Sequence, residues 1–383
     1  MKIKVAKRDL EDALTVVNSS ISASGDLSSH YLFRIVGTPE DSNQKVEILT
    51  FSNQVFSSVP LICTVEDDTH KAFTIEGKRF REWLSVISDC AMTFSFNEGV
   101  VTVEVPRGGM DFPSLDPAQF PYWDKQVEAA GDSIKVAASR LARALRHSSQ
   151  FISTEDITNP ELCVTEVKDG GILYSTNKKY AALVEIKGLD GSNIRVHGND
   201  TSAILKFLEN IEGGDDVGVL EHDRAVFFKR PDGALFGETR PRSPFPNIPV
   251  PREFDLTRWW LLSKEHIKDA IKFLAPGAQK NDDRLRFRRP GDKGDLVLAM
   301  ETEAMTGQER TQEIPVMEDG GNDEEFPDTG FLVSYPGLLK IIDLWSEDML
   351  KIGIVKKGTS GFVCFRETLD GDDFLTISAW LRE

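Results

Sequence analysis

Six short stretches of this 383-residue chain place apolar side chains at i, i+3, i+4 and i+7, the spacing that gathers them on one face of an α-helix. They are Leu10, Ala13, Leu14, Val17; Phe80, Trp83, Leu84, Ile87; Ala138, Leu141, Ala142, Leu145; Ile204, Phe207, Leu208, Ile211; Ile267, Ala270, Ile271, Leu274; and Leu338, Ile341, Ile342, Trp345. The first, third and fifth begin 128 and 129 residues apart, the second, fourth and sixth 124 and 134. The chain therefore reads as a threefold repeat of about 128 residues, with two helices in each unit.

Between the helices the text reads as strands. Examples are Val46–Ser52, Met92–Val105, Gly171–Ile186, Ala225–Arg230 and Gly361–Leu381, punctuated by turn formers such as Asn97-Glu98-Gly99 and Arg230-Pro231-Asp232-Gly233. Several strands to each helix predict an α+β fold of antiparallel sheets rather than a doubly wound parallel one. Phe112-Pro113 through Phe120-Pro121-Tyr122-Trp123 closes the first unit and Phe245-Pro246 through Pro251 the second, with linkers near 124 and 251. The expected domains are 1–124, 125–250 and 251–383.

The net charge is −17, from 45 basic and 62 acidic residues, which by itself opposes a nucleic-acid binder. Its distribution says otherwise. The six helix windows hold 13 basic and 10 acidic residues, so they carry +3 and the remainder −20. Arg140, Arg143 and His147 fall within about 60° of one another on the third helix, opposite its apolar face. Lys264, Lys268 and Lys272 form an i, i+4, i+8 row on the fifth. With Arg79 on the second, these cations are the expected contacts to DNA phosphates: basic helices on one surface and an acidic exterior hold DNA in one place only. The run Arg284-Leu285-Arg286-Phe287-Arg288-Arg289 alternates like a strand with one charged face, and Trp259-Trp260 opens a strand with one ring expected in the core.

Other classes fit poorly. Six scattered histidines, with no GxSxG, GxGxxG or P-loop, give no enzyme signature, and the acidic text at 318–328 lacks the calcium-loop ligand order. No cofactor or metal is expected. Cys63, Cys90, Cys163 and Cys364 form no CxxC pair, which suits a reducing cytoplasm. No apolar run approaches the roughly 18 residues of a membrane span, and the start, Met1-Lys2-Ile3-Lys4-Val5, has no signal-peptide pattern.

The repeat, the opening strand and helix Met1–Leu14, the interdomain text Phe112–Asp124, Gln150-Phe151, the strand Tyr174–Leu183 and the helix Val333–Trp345 together resemble the bacterial sliding clamp, the beta subunit of DNA polymerase III. The resemblance spans the whole chain and implies a homodimeric ring around duplex DNA. Helices would face the hole and sheets the outside, and the ring would have no catalytic activity. It would act as a processivity factor that tethers DNA polymerase and is opened by an ATP-dependent clamp loader.

The resemblance also implies sites. Met110, Phe112, Phe273 and Leu274 fall where the family closes its ring. Leu162, Thr176, Lys178, Tyr180, Ala181, Pro251, Thr359, Gly361, Ile377, Ala379 and Trp380 fall where it takes a partner's short apolar peptide. This chain departs from the family in its DNA-facing loops: the stretch 153–160 is acidic, Ser22–His30 lacks the usual Arg, and Lys178-Lys179-Tyr180 replaces Gly-His-Arg. A divergent member, carried by a phage or mobile element, is the expectation. The alternative reading is a clamp-like scaffold or paralogue that binds partners without encircling DNA.

Overall fold

The structure, a computed structural model, describes residues 1–22, 26–37, 45–52, 54–155, 158–168, 170–209, 211, 215–243, 245–246, 256–277, 283–289, 297–303, 309–322, 330–357 and 360–379. One element order runs through it three times. Strand Lys2–Ala6 leads directly into helix α1 (Lys7–Val17), and strand Ala72–Glu76 into α2 (Gly77–Ser85). Three strands follow, Ala91–Asn97, Val100–Val105 and Gly108–Pro113, and then a short helix, α3 (Asp124–Ala129). The middle third repeats this with Ile134–Ala137 into α4 (Ala138–Ser149) and Arg195–His197, through a 3-10 turn, into α5 (Thr201–Glu209). Its three closing strands are Asp216–His222, Ala225–Lys229 and Leu235–Thr239. The last third runs from Arg258–Ser263 into α6 (Lys264–Leu274) and from Phe331–Ser334 into α7 (Tyr335–Leu344). It closes on Met349–Lys357, Ser360–Leu369 and Asp372–Ala379.

Local chemistry sets these boundaries. At α2 the Glu76 carboxylate accepts the backbone N–H groups of Lys78 and Arg79 at 3.1 and 3.0 Å, satisfying two donors that the first helical turn leaves unpaired. The hairpins turn at Glu98-Gly99 and Asp370-Gly371, where all four residues take positive φ. The helical stripes read from the sequence are buried, apart from half-buried Trp83 and from Ile87 and Ile211, which lie just past the ends of α2 and α5. Trp260 is buried and Trp259 is half-buried beneath the Lys351 ammonium, 3.9 Å from its ring centre.

By compactness the chain forms two units, Met1–Arg143 with Gly188–Arg242, and Ala144–Lys187 with Ser243–Glu383. Their bounds differ from the sequence thirds because antiparallel sheets run through the seams. In the first unit Leu235–Glu238, from the middle third, pairs with Val55–Ser58 from the first, in an eight-stranded sheet. In the second unit Tyr180–Glu185 pairs with Asp373–Ser378 from the last third. The text near 124, expected as a linker, is held down within the first unit. Trp123 stacks on Phe56 at 5.7 Å and stands edge-on to Phe227 at 5.9 Å, while the Arg34 guanidinium grips Asp124 with bonds of 2.6 and 2.7 Å. The second linker, 247–255, lies outside the described residues.

Beside the first seam sits a fully buried carboxyl, Glu238. It accepts the backbone N–H of His197, while its second oxygen has no partner. Burial, reinforced by the nearby Asp200, pushes it well above the ordinary value of 4.5. A carboxyl raised in this way favours the fold below its unfolded pKa and opposes it increasingly as pH rises toward the folded one. Glu238→Gln, which keeps the acceptor for His197, is therefore expected to change the melting temperature little at pH 4 and to raise it relative to the parent by pH 8. Thermal melts across that range check it.

Candidate functional site

The cations expected to meet DNA lie on α2, α4 and α6, but most are held by the chain's own groups. Lys264 donates from Nζ to the Trp345 carbonyl at 2.7 Å, Lys268 pairs with Asp343 at 2.7 Å, and Lys272 pairs with Asp269 at 3.1 Å. The Lys268 and Lys272 pairs are exposed and worth about 0–1 kcal/mol each, weak enough for a phosphate to replace the carboxylate. Arg79 is exposed on α2 with its guanidinium 5.8 Å from the Phe112 ring centre. Arg140 and Arg143 are half-buried. The exposed cation of α4 is Arg146, three residues beyond Arg143 and absent from the expected set.

His147 is a correction. It does not share the wet face with Arg140 and Arg143 but is buried among Phe151, Trp345 and Phe374, with ring centres 5.2 to 5.7 Å away. Nε2 lies 2.9 Å from Thr376 Oγ1. The helical wheel put it at the edge of the polar face; the last third closes over that edge. Burial lowers its pKa to about 4, so at neutral pH it carries no charge to offer a phosphate.

The four residues expected at ring closure divide in two. Phe112 is fully buried, edge-on to Phe80 and Trp83 at 5.5 and 5.7 Å, and Leu274 is fully buried in the core of the last third. Both are corrections: neither presents a surface, because each sits on the inward position of its strand or helix. Phe273 is 58% exposed and Met110 is half-buried. Met110 and Phe112 lie on Gly108–Pro113, an edge strand of the five-stranded sheet, which among the described residues is hydrogen-bonded on one side, to Val100–Val105.

Of the residues expected to take a partner peptide, Pro251, Thr359 and Trp380 lie outside the described residues, and the side chain of Ala379 is likewise not described. The others belong to the second compact unit. Ala181 and Ile377 face each other across the sheet and share an apolar cluster with Val164, Leu183, Phe245 and Cys364; Leu162, Thr176 and Gly361 are also buried. The floor is thus largely covered by the chain's own side chains.

What reaches the surface is a tight turn. Lys178 takes φ +72°, Thr176 Oγ1 accepts its N–H at 3.1 Å, and Asn177 Oδ1 accepts those of Lys179 and Tyr180 at 3.1 and 2.9 Å. Lys178 Nζ donates to Asn159 Oδ1 at 3.0 Å, tying the turn to the acidic loop. In that loop the Glu155 carboxylate accepts from Thr158 and Asn159. Half-buried Tyr180 lies against Gly337 of α7, where a β-carbon would come within 1.7 Å of the phenol oxygen. The sequence signal was the glycine in Tyr335-Pro336-Gly337, at a helix start where nothing local demands one. Burial raises the Tyr180 phenol above its ordinary value.

No protein-family model and no curated protein matches the sequence. Solved structures do. The DNA polymerase III beta subunit of Pseudomonas aeruginosa superposes at a TM-score of 0.80 with 15% identity, over 100% of each chain. The sliding clamp of Caulobacter crescentus gives the same figures. The beta subunit of Thermotoga maritima gives 0.76 and 12%, over 100% of this chain and 99% of its own. The fold is that of the bacterial sliding clamps. At these identities the likeness establishes the clamp fold and leaves function to be argued. Among the described residues no three side chains form a metal-ligand group, and no helix is long and apolar enough to cross a membrane.

The buried histidine gives a test of the second unit. A histidine whose pKa is lowered by folding favours the fold above its unfolded value near 6.5 and opposes it as pH falls toward 4, by on the order of 3 kcal/mol. His147→Gln is expected to flatten the loss of stability between pH 6.5 and 4, read by denaturant titration at each pH, at the expense of some stability at pH 8.

Proposed function

We propose that the chain is a DNA polymerase processivity factor. Two copies close into a ring around duplex DNA, tether a polymerase, and are opened by an ATP-dependent loader. The observation that carries this reading is the agreement of the fold, over the full length, with DNA polymerase III beta subunits. The threefold element order supports three clamp units, 1–124, 125–250 and 251–383. The ring works by topology in the cytoplasm and needs no catalytic group.

Closure would join the free edge of Gly108–Pro113 to the last third of a second copy, with Phe273 and Met110 supplying apolar contact. Inside the ring Arg79, Arg140, Arg143, Lys264, Lys268 and Lys272 would exchange their present partners for phosphates, giving weak, sequence-independent and salt-sensitive binding. The partner's peptide would dock beside Lys178 and Tyr180, the residues of that set whose described side chains reach the surface.

Two outcomes test this. Loaded with a clamp loader, the protein is expected to stay on nicked circular DNA and to run off the linear form; equal loss from both would favour a scaffold that never encircles DNA. Phe273→Glu is expected to abolish retention while leaving the melting temperature nearly unchanged. Phe112→Ala is instead expected to cost about 3–5 kcal/mol of stability, as a core truncation.

A further inference from the structure

Within the first compact unit, one row of residues crosses the first seam in register: Phe51, Phe56, Gly237 and Phe227, on four neighbouring strands, with the seam between Phe56 and Gly237. Residues opposite one another on paired strands share a face of the sheet. The segment that connects the first third to the middle one lies on that face. Its Phe120 stands edge-on to Phe51 at 4.8 Å and shares a buried apolar cluster with Leu49 from the first third and Leu235 from the middle third. Its Trp123 stacks on Phe56 at 5.7 Å and meets Phe227 edge-on at 5.9 Å, so the indole touches both sides of the seam. The indole passes over Gly237, where a β-carbon would lie 3.6 Å from it and 2.6 Å from the Phe227 ring. The glycine is what leaves room for this bridge.

The residue after the bridge is tied down by charge. Half-buried Arg34 donates from Nη1 and Nη2 to the two Asp124 oxygens at 2.6 and 2.7 Å, and from Nε and Nη2 to Glu47 Oε2 at 3.2 and 3.0 Å. The same guanidinium lies 5.3 Å from the Tyr122 ring centre, and the Tyr122 hydroxyl donates to the Pro117 carbonyl at 3.2 Å. A planar fork with donors on both sides holds two carboxylates and a ring in one geometry, which a lysine could not do. The strands of the seam cannot part unless Trp123 leaves one of its two partners, and the Arg34–Asp124 pair opposes that movement. We propose that residues 117–124 are a clasp that keeps this seam shut, so that the proposed ring yields elsewhere when a loader opens it. The bearing on the ring rests on that reading; the bearing on the seam does not.

Amide hydrogen exchange of the full chain, without DNA or loader, tests the seam. Asp124→Ala, at an exposed position in the first turn of α3, releases the clasp while Arg34 keeps Glu47. It is expected to speed exchange in Val55–Ser58 and Leu235–Glu238 by about tenfold, with Lys2–Ala6 and Val100–Val105 of the other sheet unchanged and the melting temperature little altered. Trp123→Ala is expected to speed it further. Adding Asp124→Ala to Arg34→Met is expected to change nothing beyond Arg34→Met alone, because the two residues act as one pair. Faster exchange confined to 117–129 would overturn the proposal by showing a passive cover, and an equal rise throughout the unit would overturn it by showing a general loss of stability. For the ring, Asp124→Ala is expected to shorten residence on nicked circular DNA. Residence equal to the parent's despite a looser seam would overturn the role in the ring. A parent that is not retained at all would overturn the ring reading and that role with it, while the exchange result still decides the clasp.

Discussion

Antiparallel pairing across the sequence thirds is the constraint on which the rest of this structure depends. Leu235–Glu238 lies against Val55–Ser58, and Tyr180–Glu185 lies against Asp373–Ser378. Each of these strands would otherwise end its sheet with a row of unpaired backbone N–H and C=O groups, a surface that invites unwanted association. Paired, they contribute about 0.5–1.5 kcal/mol per hydrogen bond and let sheets continue past the points where the repeat begins again. Strands running straight into helices, as Lys2–Ala6 does into α1 and Arg258–Ser263 into α6, then fix which face each helix buries.

The cations follow from that placement. A helix with a broad apolar stripe keeps its charged residues at the margins, where they meet acidic and carbonyl groups of neighbouring turns. Lys264 on the Trp345 carbonyl and Lys268 on Asp343 are of this kind. In the proposed ring such residues hold DNA loosely by exchange of partners, which suits sliding better than a dense array of unpaired cations would. The burial of His147 has the same origin: a residue at the margin of the stripe is covered when the last third supplies Trp345 and Phe374.

Much of the fold was legible in the sequence because its signals are local. The period of the apolar residues gave the helices, short apolar runs between turn formers gave strands such as Ala225–Lys229, and Asp-Gly or Glu-Gly pairs gave the hairpins. The spacing of the helices gave the repeat. What could not be read was set by contacts distant in sequence. Phe112 and Leu274 look like surface candidates until their partners are known, and the pinning of the 120–124 text needs Arg34 and Phe56, which lie far upstream. The candidate peptide site was visible only as an order of residue types; that Ala181 and Ile377 face each other is a matter of register.

The proposed ring is tested most directly by the shape and mass of the purified full-length chain, by negative-stain electron microscopy together with solution mass. The chain weighs 42.7 kDa. A closed ring predicts particles of twice that mass, about 85 kDa, with an open centre wide enough for a DNA duplex. Particles of a single chain's mass with no central hole, at concentrations well above those needed for DNA retention, would contradict it.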